Sequence, residues 1–235
     1  MNLKGIYHCP SNYYNLASTL RFSHVQILNP NANYPDYEVM KSRVKQAHDC
    51  GLNCLIDPHL FIDLYGGLDF LDEVEYKARD LIYLVDEPNA RGIDVSVVIE
   101  ADNAVKEFIQ NKKYEWKTFF TLSPKDSFKG YEHIADLLGI SYYRGFLEGI
   151  YRWSLPKLLW KIWTLNRPRE SMVGIGAVKF NPKHLEHQIK FWESLRIKNM
   201  FWYSWTPHHE KPKWLDSGLE GLEDFQDKFW EFNFK

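Results

Sequence analysis

Leu81-Ile82-Tyr83-Leu84-Val85-Asp86-Glu87-Pro88-Asn89 is an apolar run that stops at two acids, a proline and an asparagine. A run of this length with no polar alternation fits a parallel strand covered on both faces, because such a strand has no solvent side. The acids stand where the strand emerges. The end of a buried strand is a rigid mount, and a carboxyl group held there against apolar walls can have its pKa raised enough for proton transfer near neutrality. Glu87 is therefore the first catalytic candidate. Adjacent strand residues point opposite ways, so only one of Asp86 and Glu87 readily faces a shared opening, and Asp86 has the competing roles of capping the next helix or pairing with an arginine.

Seven further short apolar runs read as strands: Gly5 to Cys9, His24 to Leu28, Asn53 to Asp57, Trp116 to Leu122, Ile140 to Tyr143, Met172 to Val178 and Met200 to Trp205. Between them apolar residues recur at helical spacing, as at Val98, Ala101, Val105, Phe108 and Ile109, at Leu185, Ile189, Trp192 and Leu195, and at Leu219, Leu222, Phe225 and Phe229. Helix starts are marked by Asp94 and by Asn181 followed by Pro182. Helix stops are marked by Gly51, after Met40, Val44 and Ala47, and by Gly139, after Ile134, Leu137 and Leu138. Two connections read less clearly: 12–22 is short for a helix, and 61–70, with Gly66-Gly67, reads as a loop.

Strand and helix alternating eight times predict an α/β fold, a single (β/α)8 TIM barrel forming one domain over 1–235. An open doubly wound sheet is the runner-up. Such a sheet more typically carries a Gly-x-Gly-x-x-Gly turn after its first strand, where this chain reads His8-Cys9-Pro10-Ser11. Gly174 and Gly176 lie inside an apolar run and are expected to make room in a tight barrel interior.

Composition narrows the class. Of 235 residues 45% are hydrophobic and 26% charged, which suits a soluble globular protein. The net charge of -2, from 29 basic and 31 acidic residues, gives no broad footprint for nucleic acid or an anionic membrane. Aromatic residues reach 16%, enough to fill a barrel and also to stack on sugar rings. Cys9, Cys50 and Cys54 lack metal-site spacing and read as reduced thiols; with no signal-peptide core and no apolar span, a cytoplasmic location is expected. No cofactor and no metal are called for, and oligomeric state is left open.

In a barrel, residues just past each strand converge on one mouth. These are His8, then Asn29 and Asn31, Asp57 and His59, Asp86, Glu87 and Asn89, Thr121 and Ser123, Tyr142, Tyr143 and Arg144, Lys179, and finally Tyr203, Trp205, His208 and His209. Asp-Glu-Pro-Asn at 86–89 after a fourth strand, with Phe201-Trp202-Tyr203-Ser204-Trp205 as an eighth, resembles the barrel glycoside hydrolases, whose large retaining clan ends its fourth strand in Asn-Glu-Pro. The resemblance implies a carbohydrate substrate, Glu87 as general acid/base and Trp205 as the sugar platform, beside Tyr203. Asp86 replaces the clan's Asn, which contacts the sugar 2-hydroxyl.

Strand seven departs further, since 173–180 hold no acid where that clan has its nucleophile. Two carboxyl groups lie about 5 to 5.5 Å apart in retaining enzymes and about 6.5 to 9.5 Å apart in inverting ones. Asp57 is the preferred second acid, and Asp86 is next. Substrate assistance by an acetamido group is a third route, for which Tyr142, Tyr143 and Trp205 resemble chitinase elements, although the Asp-x-Asp-x-Glu motif is absent. Asn29, His8, His59 and Arg144 complete the expected substrate-binding set. Three alternatives stand beside this reading: a non-catalytic carbohydrate-binding barrel, a metal-dependent hydrolase or isomerase built on His8, Asp57, His59, Glu87 and His208, and a Schiff-base aldolase using Lys179.

Overall fold

A computed structural model describes residues 3–27, 36–57, 64–75, 77, 79–124, 126–142, 151–177 and 182–203. Eight parallel strands close a barrel in sequence order. They are β1 (Lys4–Ile6), β2 (His24–Ile27), β3 (Asn53–Ile56), β4 (Leu81–Tyr83), β5 (Lys117–Leu122), β6 (Leu137–Ser141), β7 (Met172–Ala177) and β8 (Asn199–Tyr203). Closure is made by β8 against β1, with Lys4 opposite Met200 and Ile6 opposite Trp202. The predicted (β/α)8 barrel is thus the observed architecture, and the open sheet is excluded.

The described helices are α1 (Tyr14–Thr19), α2 (Tyr37–Asp49), α3 (Leu64–Glu73), α4 (Pro88–Arg91), α5 (Val95–Lys112), α6 (Tyr151–Thr164) and α7 (Pro182–Ser194). Their local signals act as the sequence suggests. Asp94 caps α5 by accepting the Ser96 N–H at 2.8 Å, Pro182 opens α7, and Gly51 takes a φ of 78° after α2. Val98, Ala101, Val105 and Ile109 of α5 are buried, while Phe108 is only partly so.

Two readings are corrected. The 61–70 segment is not a loop throughout, since α3 runs through Gly66-Gly67. Leu137 and Leu138 do not belong to a helix stopped by Gly139, because all three lie inside β6. The glycine is needed for room: a Cβ there would stand 2.8 Å from Thr121 Cγ2 and 2.9 Å from Phe119 Cζ on the paired strand. Among the described residues no α-helix joins β5 to β6.

That connection is pinned by side chains instead. The five N–H groups of Arg167 meet five acceptors: Ser171 Oγ at 3.3 Å and the carbonyls of Glu132, Ile134, Ala135 and Asp136 at 3.2, 2.8, 2.9 and 3.0 Å. A planar fork with this many fixed donors is something only arginine offers. Asp102 of α5 accepts the Ala135 N–H at 3.1 Å, and Lys161 of α6 donates to the carbonyls of Pro124 and Asp126, each at 2.7 Å.

Apolar burial falls into two layers. The interior holds residues from seven of the strands or the positions just beside them, including Leu55, Phe119, Ile175 and Phe201. The larger outer layer, between strands and helices, includes Ile6, Val25, Phe120 and Trp202. Gly174 and Gly176 make room in this outer layer and not in the expected interior, since a Cβ would approach Trp192 Cδ2 of α7 to 2.4 Å at 174 and Trp202 Cζ3 to 2.3 Å at 176. Inside, Phe119 stacks on Tyr83 at 5.4 Å and on Phe201 at 5.6 Å, and Tyr7 packs on Phe201 at 5.3 Å. Much of the aromatic content is therefore barrel filling, and the filling rises to the end where the strands' C-termini meet.

Candidate active site

Residues that follow β1, β3 and β4, with the last residues of β5 and β8, define this end of the barrel. Tyr7 lies 6.3 Å from Tyr83 and 6.0 Å from Tyr203, ring centre to ring centre, and the His8 ring meets Tyr203 edge-on at 5.0 Å. Three tyrosines and a histidine thus form an aromatic floor.

Backbone strain singles out two positions at this end of the barrel. Among the described residues seven non-glycine positions have positive φ. Arg21, Lys113, Asn166 and Arg196 follow helix ends, where a left-handed residue closes the last turn, and Ala135 lies in the segment held by Asp102 and Arg167. The other two are His8, at 53°, and Glu87, at 44°, each just beyond the C-terminal end of a barrel strand. A left-handed non-glycine residue costs about 1 to 2 kcal/mol, and such strain collects at functional sites.

Glu87 keeps this conformation because the chain must turn from strand to helix at once. Pro88 begins α4, and the Glu87 carbonyl accepts the N–H groups of Ala90 at 3.0 Å and Arg91 at 3.1 Å. The Glu87 N–H donates to the Thr121 hydroxyl at 3.2 Å. Regular pairing ends at Tyr83, before the apolar run does, although Leu84 N still reaches Phe119 O at 2.8 Å. The Glu87 side chain is half-buried.

Asp86 is held by three donors. Its Oδ1 accepts the hydroxyls of Tyr83 at 2.9 Å and Thr121 at 2.8 Å, and its Oδ2 accepts Arg91 Nη2 at 2.8 Å. The Tyr83 and Thr121 oxygens are themselves 3.0 Å apart. Burial pushes the Tyr83 hydroxyl well above the ordinary tyrosine range, so it is a lasting donor. The Asp86–Arg91 pair is half-exposed on both sides and adds little stability; its effect is orientation. Asn89 bridges to the β5 side, accepting Ser123 N at 2.9 Å and donating to Ser123 O at 2.9 Å.

The remaining expected residues are placed as follows. Asp57 directly follows Ile56, which pairs with Ile82 of β4, so it shares the end of the barrel with Glu87; its side chain is half-buried. Tyr142 is buried on the helix side, packing on Phe191 at 4.3 Å and Trp192 at 6.0 Å, and is not part of the Asp86 group. Asn29, Asn31, His59, Tyr143, Arg144, Lys179, Trp205, His208 and His209 lie outside the described residues. Sequence reasoning gave no site role to Tyr7 and Tyr83. Their signal was available in the alternation of inward residues, which puts Gly5 and Tyr7 on one face of β1.

At the opposite end, the ligating atoms of His48, Cys54 and Asp80 lie within 4.8 Å of one another. They are already engaged. Asp80 accepts the N–H of Cys54 at 2.6 Å, that of Lys77 at 2.8 Å and His48 Nε2 at 2.9 Å, which ties the start of β3 to the start of β4. Burial raises the Cys54 thiol well above its ordinary pKa. No helix among the described residues is long and apolar enough to cross a membrane.

Fold and site together define a (β/α)8-barrel protein whose acidic and aromatic groups gather at the C-terminal ends of the strands, the end where barrels of this kind carry their active sites. No protein-family model matches the sequence, and no curated protein matches it. Solved structures do. An endo-β-1,4-glucanase from Xanthomonas axonopodis pv. citri aligns over 99% of this chain and 98% of its own, with a TM-score of 0.63 at 10% identity. A glycoside hydrolase family 17 β-1,3-glucanosyltransferase from Rhizomucor miehei aligns over 92% of both chains, with a TM-score of 0.61 at 12% identity. The citrate synthase SbnG also aligns, over 86% of both chains, at 0.54 and 7%. At these identities the likeness is one of fold, and it is to carbohydrate-active barrels that the higher of these scores belong.

Proposed function

We propose that the protein is a glycoside hydrolase-like barrel acting on a carbohydrate, with Glu87 as general acid/base. The observation that carries this reading is the left-handed Glu87 just past β4, half-buried and tied by its own N–H to the Thr121 hydroxyl of β5, which in turn lies 3.0 Å from the hydroxyl of Tyr83 in the aromatic floor. A sugar lying over Tyr203 and His8 would present its glycosidic oxygen to this carboxyl group. The sequence offers Asn29, His59, Tyr143, Arg144 and Trp205, all outside the described residues, as further binding candidates.

The two neighbouring acids take different parts. Asp86 already accepts three hydrogen bonds, so it orients rather than attacks. Asp57, which follows the strand beside β4, is the better second carboxylate. Three cysteines outside any disulfide, two of them buried, support a reducing compartment, and the cytoplasm is the location we propose.

A second reading is a carbohydrate-binding barrel without turnover, favoured by the acid-free β7. Incubation with β-linked glucans, galactans, mannans and chitooligosaccharides, followed by chromatography and calorimetric titration, separates the two. Shortened products support hydrolysis, whereas binding without product supports the second reading. Neither binding nor product with any glycan would overturn both.

A further inference from the structure

Thr121 of β5 is the point at which the backbone of Glu87 and the carboxylate of Asp86 meet. Its hydroxyl accepts the Glu87 N–H at 3.2 Å and donates to Asp86 Oδ1 at 2.8 Å. Tyr83 donates to the same Asp86 oxygen at 2.9 Å from the barrel interior. The hydroxyl is itself nearly inaccessible, since Thr121 is 2% exposed and Tyr83 4%. Neither hydroxyl is needed for barrel packing, since valine at 121 and phenylalanine at 83 would fill the same space.

Resting on the function proposed above, we infer that Thr121, assisted by Tyr83, is a positioning residue. It fixes the strained backbone of Glu87 and the orientation of Asp86 as one unit. The physical logic is that a left-handed glutamate relaxes unless its amide has a fixed partner, and β5 supplies that partner through one hydroxyl. The same hydroxyl spends its proton on Asp86, so displacement of either acid is felt by the other. Thr121 touches neither the sugar nor the reacting atoms in this arrangement; it acts through Glu87.

Thr121→Val keeps the shape and removes the hydroxyl. On any glycan that the unsubstituted protein hydrolyses, kcat should fall roughly 10- to 100-fold while KM stays within about threefold, because misplacing a reacting group costs rate more than binding. Thr121→Ser should restore most of the loss. A crystal structure of Thr121→Val should show Glu87 out of the left-handed region or Asp86 turned from Tyr83. If the unsubstituted protein turns over glycan and Thr121→Val matches its kcat, the inference is overturned and the function stands. If no glycan is cleaved at all, the function fails, and the variant's structure decides alone: an unmoved Glu87 and Asp86 overturn the inference, and a displaced pair supports it. Should Thr121→Val not fold, Tyr83→Phe removes the other donor from the same oxygen, and an unchanged kcat there overturns the proposal.

Discussion

Glu87→Gln is expected to lower kcat on an oligosaccharide by about 10²- to 10⁴-fold, the usual contribution of a positioned general acid/base. The amide fills the same volume, and the backbone bonds of residue 87 to Thr121, Ala90 and Arg91 do not involve the side chain. The melting temperature should therefore stay close to that of the unsubstituted protein. What disappears is a proton that can move to the departing sugar oxygen. Aryl glycosides, whose phenolate leaves without protonation, should lose far less in the bond-breaking step than natural glycans do. Parallel kinetics on the two substrate types checks both halves of this expectation, and equal hydrolysis of the natural glycan by both proteins would remove Glu87 from the chemistry.

The second large effect is acid lability centred on His24. This residue opens β2 and is fully buried, with Nε2 2.8 Å from the Arg79 carbonyl and Nδ1 2.9 Å from the Ser23 hydroxyl. The Arg79 carbonyl only accepts, so Nε2 carries the proton of a neutral ring. Burial lowers the pKa from the ordinary 6.5 to about 4, against smaller raising effects of the Arg79 hydrogen bond and Asp80. The unfolded chain takes up a proton as pH falls through 6.5, and the folded protein does not until about 4. Between those values unfolding binds protons, so stability falls with falling pH. A separation of this size corresponds to about 3 kcal/mol, complete near pH 4. Urea unfolding from pH 7.5 to 4 should show this slope, and His24→Gln should remove most of it. Identical slopes in the two proteins would refute the assignment.

How far the sequence carried the structure depends on which physical signal each residue gave. The barrel was legible because eight apolar runs were spaced by helical patterns, and a parallel sheet with both faces covered leaves no other place for them. The error at β6 has a simple cause: Gly139 after three apolar residues has the form of a helix stop, and only the partner strand shows that Phe119 and Thr121 occupy the space of its missing Cβ. Gly66-Gly67 misled in the opposite way, since two glycines lower helix propensity but do not forbid the helix observed as α3. At the mouth, strand-end logic alone brings Asp57, Glu87, His8 and Tyr203 to one end. It could not distinguish Tyr142, whose ring goes to α7, because the side to which a strand-end residue points is set by register. Thr121 was visible as a strand-end hydroxyl, but its bonds to Asp86 and Glu87 are long-range and have no sequence signature.

The most direct test is a crystal structure of Glu87→Gln with a bound oligosaccharide that the unsubstituted protein hydrolyses or binds. The account predicts a sugar chain across the C-terminal ends of the strands, resting on Tyr203, with one glycosidic oxygen within hydrogen-bonding distance of the residue 87 amide and Asp57 on the other side of that bond. A glycan seated elsewhere on the molecule, or seated there with residue 87 turned away from every glycosidic oxygen, would contradict it.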